Sequence, residues 1–174
     1  VISRPIITKA NNGEQVVIVS NGLNSTNGNP VLMIYNLQTG VLIRSLTPNL
    51  TSAQTSNGLS AATGIDNNID GKIDYVYAGD IKGNIWKFDL SSTVPSNWKV
   101  AYKDGSNIDV PIFSAKDSSD KPQPITGGIA ISFDASLKPW VFFGTGSYLT
   151  LADIQLPKTK DVQTWYGIRD EGTA

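Results

Sequence analysis

The spacing of the apolar residues limits this chain more than any other feature. They fall in short runs, alternating or continuous, and Gly, Asn, Asp or Pro closes each run. No stretch sustains the roughly 3.6-residue period of an amphipathic helix, so the expected fold is all-β. The runs are rich in Val, Ile, Tyr, Trp and Phe, whose branched and flat side chains suit a pleated surface.

Along the chain, Ile6-Ile7-Thr8 leads through an Asn-Asn-Gly turn into Gln15-Val16-Val17-Ile18-Val19-Ser20. Val31-Leu32-Met33-Ile34-Tyr35-Asn36 follows, then the turn Leu37-Gln38-Thr39-Gly40 and a returning strand over 41–46. Four short strands this close in sequence predict an antiparallel meander. A second set is expected over 59–63, 73–79, 84–90 and 98–103, with Asp80-Ile81-Lys82-Gly83 as its central turn. A third is expected from 125–133, 140–146 and 164–168.

The sets echo one another. Val17-Ile18-Val19-Ser20, Tyr75-Val76-Tyr77-Ala78 and Val141-Phe142-Phe143-Gly144 take equivalent places, 58 and then 66 residues apart. That exceeds the roughly 40 to 45 residues of a WD-type blade and fits large propeller blades with long loops, at 21–30, 48–57, 116–124 and 149–162. Blade-like units are expected at about 4–46, 59–103 and 110–169. Three units are too few to close a propeller, so the chain is part of a larger one or an open β-sandwich.

Composition excludes several chemistries. The 174 residues contain no Cys and no His, which removes Cys-His and Ser-His catalysis and the usual nitrogen and sulfur metal sites from this chain. A hard, oxygen-liganded cation stays open. Charged residues are 17% of the chain and the net charge is -1, with no basic cluster that would follow a phosphate backbone, so nucleic acid is not an expected partner. No apolar run approaches the roughly 18 to 20 residues of a membrane-spanning helix. The chain starts at Val1, which suggests a piece cut from a longer protein.

The most specific chemical signal is Asp66-Asn67-Asn68-Ile69-Asp70-Gly71-Lys72-Ile73-Asp74. Side-chain oxygens stand at loop positions one, three, five and nine, and Gly71 holds position six, as in the ligand-bearing part of an EF-hand loop. Calcium takes about six to eight oxygens, and a curling loop turns alternate residues toward it. The expected ligands are Asp66, Asn68, Asp70, the Lys72 backbone carbonyl, and Asp74 directly or through water. The bidentate Glu of an EF-hand is replaced by Tyr77 within a predicted strand, so the loop feeds a strand rather than a helix. Without a cation, three nearby carboxylates repel one another.

Other candidates read as structure. Asp80 is expected to cap its turn. Asp104, Asp109, Asp117 and Asp120 read as solvated turn residues rather than an acid/base pair. Trp86, Trp98, Trp140 and Trp165 lie on predicted strands, where packing between sheets is the expected role. Asn24-Ser25-Thr26 and Asn49-Leu50-Thr51 match the N-glycosylation pattern, which carries meaning only in a eukaryotic secretory setting.

The run from Asp66 to Leu90, with its Tyr-Ala-Gly-Asp, Gly-Asn and Trp-Lys-Phe-Asp-Leu segments, resembles the PilY1/PilC family of type IV pilus tip-associated proteins. Pro111-Ile112-Phe113-Ser114-Ala115, Phe143-Gly144-Thr145-Gly146-Ser147-Tyr148-Leu149 and Trp165-Tyr166-Gly167-Ile168 are similar to it as well. The resemblance implies part of a modified, quinoprotein-like β-propeller of about three antiparallel four-stranded blades, lying at the C-terminal end of a larger protein. It implies Ca2+ held by Asp66, Asn68, Asp70, Lys72 and Asp74, with Asn68 in place of a more frequent Asp. It also implies a role in pilus biogenesis, extension and retraction, twitching motility and adhesion. The implied partners are the rest of the propeller, an N-terminal domain, minor pilins and a host-cell surface. The implied location is the pilus tip or outer membrane of a Gram-negative bacterium. A non-enzymatic module is thus expected, against the alternatives of a quinoprotein-like dehydrogenase or a secreted carbohydrate-binding propeller.

Overall fold

A computed structural model describes residues 3–25, 28–51, 56–149 and 161–173. Most of the loop expected at 149–162, part of that at 48–57 and Thr26 of the first glycosylation pattern lie outside the described residues. The described chain folds into three antiparallel sheets in chain order. The first is the meander β1 (Ile6–Lys9), β2 (Gln15–Ser20), β3 (Leu32–Asn36) and β4 (Leu42–Leu46). The second runs β5 (Thr63–Ile65), β6 (Tyr75–Gly79), β7 (Asn84–Asp89) and β8 (Lys99–Val100), and β9 (Phe113–Ser114) adds to β7. The third is β10 (Ala130–Phe133), β11 (Pro139–Gly144) and β12 (Trp165–Arg169).

The structure departs from the sequence expectation at several strands. The stretch beginning at 110 does not open the third sheet, because Phe113 and Ser114 pair with Ile85 and Asn84 of the second. Among the described residues the third sheet has three strands rather than four. The strand expected at 59–63 is shifted to Thr63–Ile65, while Leu59 makes a single bridge to Asp80.

Side-chain alternation explains how the sheets stack. In β2, Val16 and Ile18 are buried while Gln15 is exposed and Val17 and Val19 are half-buried, the signature of a strand covered on one face. Strands β6 and β7 read as almost continuous runs because both their faces are covered. Val76, Ala78, Trp86 and Phe88 pack with Val16, Ile18, Leu32 and Ile34 of the first sheet. Tyr77 and Ile85 pack with Val141 and Phe143 of the third. The second sheet is thus the middle layer of three.

This packing corrects the internal echo by one residue. β2, β6 and β11 are equivalent second strands of their sheets, as expected. However, Ile18 faces the second sheet while Val76 faces back toward the first. Val17 and Val141 therefore share their direction with Val76, not with Tyr75. A period of two residues makes such a slip invert the inward and outward faces.

Four of the connecting turns share one device. At 80–83, 104–107, 117–120 and 134–137, an Asp opens the turn and the fourth residue adopts the left-handed conformation, with φ of 84° at Gly83, 63° at Asn107, 62° at Asp120 and 57° at Leu137. The opening carboxylate accepts the backbone N–H of the fifth residue at 2.9, 2.9, 3.0 and 3.0 Å. These carboxylates replace hydrogen bonds that the reversing backbone cannot supply itself.

Candidate metal centre

The 66–74 loop leaves β5 and enters β6, and its backbone curls because side-chain oxygens draw its N–H groups inward. Asp66 accepts the N–H of Gly71 at 2.7 Å through one oxygen and that of Asp70 at 3.1 Å through the other. Asn68 Oδ1 accepts the same Asp70 N–H at 3.0 Å, and Asp70 accepts the N–H of Lys72 at 3.0 Å. Gly71 has a φ of 83°, where the missing Cβ removes the steric penalty. Ile69 also has a positive φ, 61°, an uncommon state for a β-branched residue, and its side chain is exposed.

Charge inside the loop is only partly offset by Lys72, whose Nζ lies 2.8 Å from Asp70 Oδ2. The hydrogen bond from Lys72 holds the Asp70 carboxyl below its usual range. In return, the hydrogen bond to Asp70 raises the Lys72 pKa, and the charges of Asp70, Asp74 and Asp66 add to this. The three carboxylates therefore act on one ammonium group.

Asp74 differs from the other expected ligands. It is buried, at 4% exposure. Its Oδ2 accepts the N–H groups of Asn67 and Asn68 at 2.9 and 3.3 Å, which ties the start of the loop to its end. Its Oδ1 accepts Nδ2 of Asn11, from the β1–β2 turn of the first sheet, at 3.1 Å.

The structure thus brings Asp66, Asn68, Asp70 and Asp74 into one closed loop. Among the described residues, no group of three or more carboxylates is gathered into a ready metal cage. The donor set still fits calcium: it consists of hard carboxylate, amide and carbonyl oxygens on a loop already curled about its sixth residue.

Tyr77, at the position of the absent EF-hand Glu, joins a buried cluster that local sequence reading misses. Asp170, just after β12, lies 2.6 Å from Lys87 Nζ of β7, and their side chains are 1% and 9% exposed. Tyr77 and Tyr102 donate their hydroxyls to Asp170 at 2.7 and 2.9 Å. Lys87 Nζ also stands 4.1 Å from the Tyr75 ring centroid. Burial works to raise the Asp170 pKa, but the hydrogen bonds from Lys87, Tyr77 and the Gly172 N–H outweigh it and the net direction is down. Burial, followed by bonding to Asp170, drives both tyrosine hydroxyls above their usual range. Asn67, Tyr75, Lys87, Lys138 and Asp170 border a cleft of ≈ 290 Å³ between the 66–74 loop and the third sheet.

The remaining candidates divide. Asp80 is fully buried and caps its turn as expected, while its Oδ2 also accepts Trp86 Nε1 at 2.8 Å and Asn57 Nδ2 at 3.1 Å. Asp104 and Asp117 cap exposed turns, and Asp120 occupies the left-handed position of one. Asp109 is no solvated turn residue: it is buried, accepts the Asn49 N–H at 2.7 Å and lies 3.2 Å from Lys103 Nζ. Trp86 and Trp98 fill the core between the first two sheets. Trp165 instead is 69% exposed on the outer face of the third sheet, where Phe142 stacks between it and Trp140 at centroid distances of 5.6 and 6.2 Å.

Serially stacked antiparallel sheets, with an oxygen-rich loop where one sheet meets the next, define an all-β protein built from repeated blade-like layers. The chain belongs to the PilY1 family: the PilY1 beta-propeller domain profile matches residues 1–174. It is 39% identical over 180 residues to a type IV pilus biogenesis factor PilY1 homolog of Xylella fastidiosa, covering 99% of this chain and 12% of that protein. It is 35% identical over 189 residues to type IV pilus biogenesis factor PilY1 of Pseudomonas aeruginosa, covering 98% of this chain and 16% of that protein. The crystal structure of the Pseudomonas aeruginosa PilY1 C-terminal domain superposes with a TM-score of 0.84 at 33% identity, covering 97% of this chain and 36% of that one. The chain therefore spans about an eighth to a sixth of these curated relatives.

Proposed function

We propose that this chain is a calcium-binding section of the propeller of a type IV pilus biogenesis and adhesion protein, acting at the cell surface or pilus tip of a Gram-negative bacterium. The observation carrying the reading is the 66–74 loop, closed on itself by Asp66 and Asp74 at a seam between sheets. Asp66, Asn68, Asp70, the Lys72 carbonyl and Asp74 would hold Ca2+, which supplies a divalent charge and coordinates about six to eight oxygens. The role is structural and regulatory rather than enzymatic: Asp66 and Asp70 fix the loop, the loop fixes the entry of β6, and β6 packs against both neighbouring sheets. Loop order would in this way bias pilus extension against retraction, and with it twitching motility and adhesion.

The partners follow from size and surface. The solved C-terminal domain and the full-length relatives are far longer than this chain, so further blades and an N-terminal domain are proposed neighbours. The Trp140, Phe142 and Trp165 face supplies an apolar surface for the next blade. Minor pilins and a host-cell surface are the proposed partners of the whole protein. The test is Asp70→Ala in the parent protein of a piliated bacterium, with surface pili and twitching measured together. Altered pilus number or twitching at normal protein abundance supports the reading, and unchanged values contradict it.

A further inference from the structure

Asn11 joins the calcium-type loop to the first sheet. Its Nδ2 faces three oxygens: the Ile73 carbonyl at 2.9 Å, Asp74 Oδ1 at 3.1 Å and the Leu90 carbonyl at 3.2 Å. All three are acceptors, so only the NH2 end of the amide satisfies them, which fixes the side chain's orientation. Backbone pairing reinforces the junction, since Ile73 N–H donates to the Lys9 carbonyl at 2.9 Å and Ala10 bridges Ile73 in parallel. The side chains of Asp66, Asn68 and Asp70 bond within the loop, whereas Asp74 alone among the expected side-chain ligands also bonds to another sheet in the described residues.

We infer that Asn11 is a positioning residue for the calcium site: it holds the Asp74 carboxylate and thereby couples calcium binding to the docking of the first sheet on the second. The inference rests on the calcium reading proposed above. Outer partners that hold a ligating carboxylate set its orientation, and their loss typically weakens metal affinity by roughly 10- to 100-fold. Linkage makes the coupling reciprocal, so calcium in the loop must tighten the inter-sheet junction by the same factor that Asn11 tightens calcium.

The experiment titrates calcium into the full chain and into Asn11→Ala by calorimetry and measures both melting temperatures with and without saturating calcium. The expected result is an affinity roughly tenfold weaker in the variant, with a smaller calcium-induced rise in melting temperature. Equal dissociation constants and equal calcium-induced rises, with both baselines lowered alike, would assign Asn11 a packing role only and overturn the inference. No binding by the unsubstituted chain would overturn the calcium reading itself, a different outcome from the first. Should Asn11→Ala not fold, hydrogen exchange at the Ile73 N–H in the unsubstituted chain decides: slowing by calcium supports the coupling, and an unchanged rate refutes it.

Discussion

Replacing Asp170 by Ala tests whether the second and third sheets are latched by a buried ion pair. The substitution leaves Lys87 Nζ at 9% side-chain exposure without its carboxylate at 2.6 Å. It also removes the acceptor of the Tyr77 and Tyr102 hydroxyls and of the Gly172 N–H. Breaking one side of a buried pair costs about 3–5 kcal/mol, because the surviving charge is left uncompensated. Lys87→Met should be milder, since Asp170 keeps both tyrosine hydroxyls and the Gly172 N–H. Combining the two removes the stranded charge, so the double variant should be more stable than the sum of the singles implies, by about 2 kcal/mol or more. Urea unfolding followed by tryptophan fluorescence gives all three values. Additive effects below about 1 kcal/mol each, typical of exposed pairs, would refute the latch.

The same cluster sets a pH window. Asp170 has a lowered pKa, so its contribution is present above the unfolded carboxyl value near 3.9 and is lost as pH falls through the lower folded value. Tyr77 and Tyr102 have raised pKa values, so their contribution is complete below the unfolded value near 10 and declines as pH rises beyond it. Melting temperature against pH should therefore fall at both ends, and Asp170→Ala should flatten the acid limb. Lys72→Gln removes the ammonium 2.8 Å from Asp70 and should tighten calcium binding by a few-fold at low ionic strength; weaker binding would show that Lys72 does not compete. Leu137→Asn, at an exposed turn position with φ of 57°, should stabilise the chain by about 0.5 kcal/mol in the same urea assay, because Asn tolerates the left-handed state better.

Local patterning made the first sheet legible, since alternation and turn residues placed its strands to within about a residue. The middle sheet was harder. Burial on both faces erases alternation, so the sequence aligns Val17 and Val141 with Tyr75, whereas by facing it is Val76 that matches them. The strand expected at 98–103 is reduced to Lys99–Val100: before it Trp98, after a 3-10 turn at Pro95–Asn97, packs into the core, and beyond it Lys103 bridges Asp109 instead. The closure of the 66–74 loop was readable because the residues that curl it, Asp66, Asn68 and Asp70, are near neighbours in sequence. Asn11 and Asp170 were not: they meet Asp74 and Lys87 across 63 and 83 residues, separations at which no local spacing rule operates. Trp165 showed the reverse error, as a strand position alone does not reveal which face another layer covers.

The proposed binding of calcium by residues 66–74 would order the entry of β6. Calorimetric titration of the chain and of Asp70→Ala with calcium tests it most directly, read together with melting temperature in calcium and in chelator. One site is expected in the unsubstituted chain, with a higher melting temperature in calcium, and weakened or lost binding with no such rise in Asp70→Ala. Equal binding by both proteins, or a melting temperature indifferent to chelator, would contradict it.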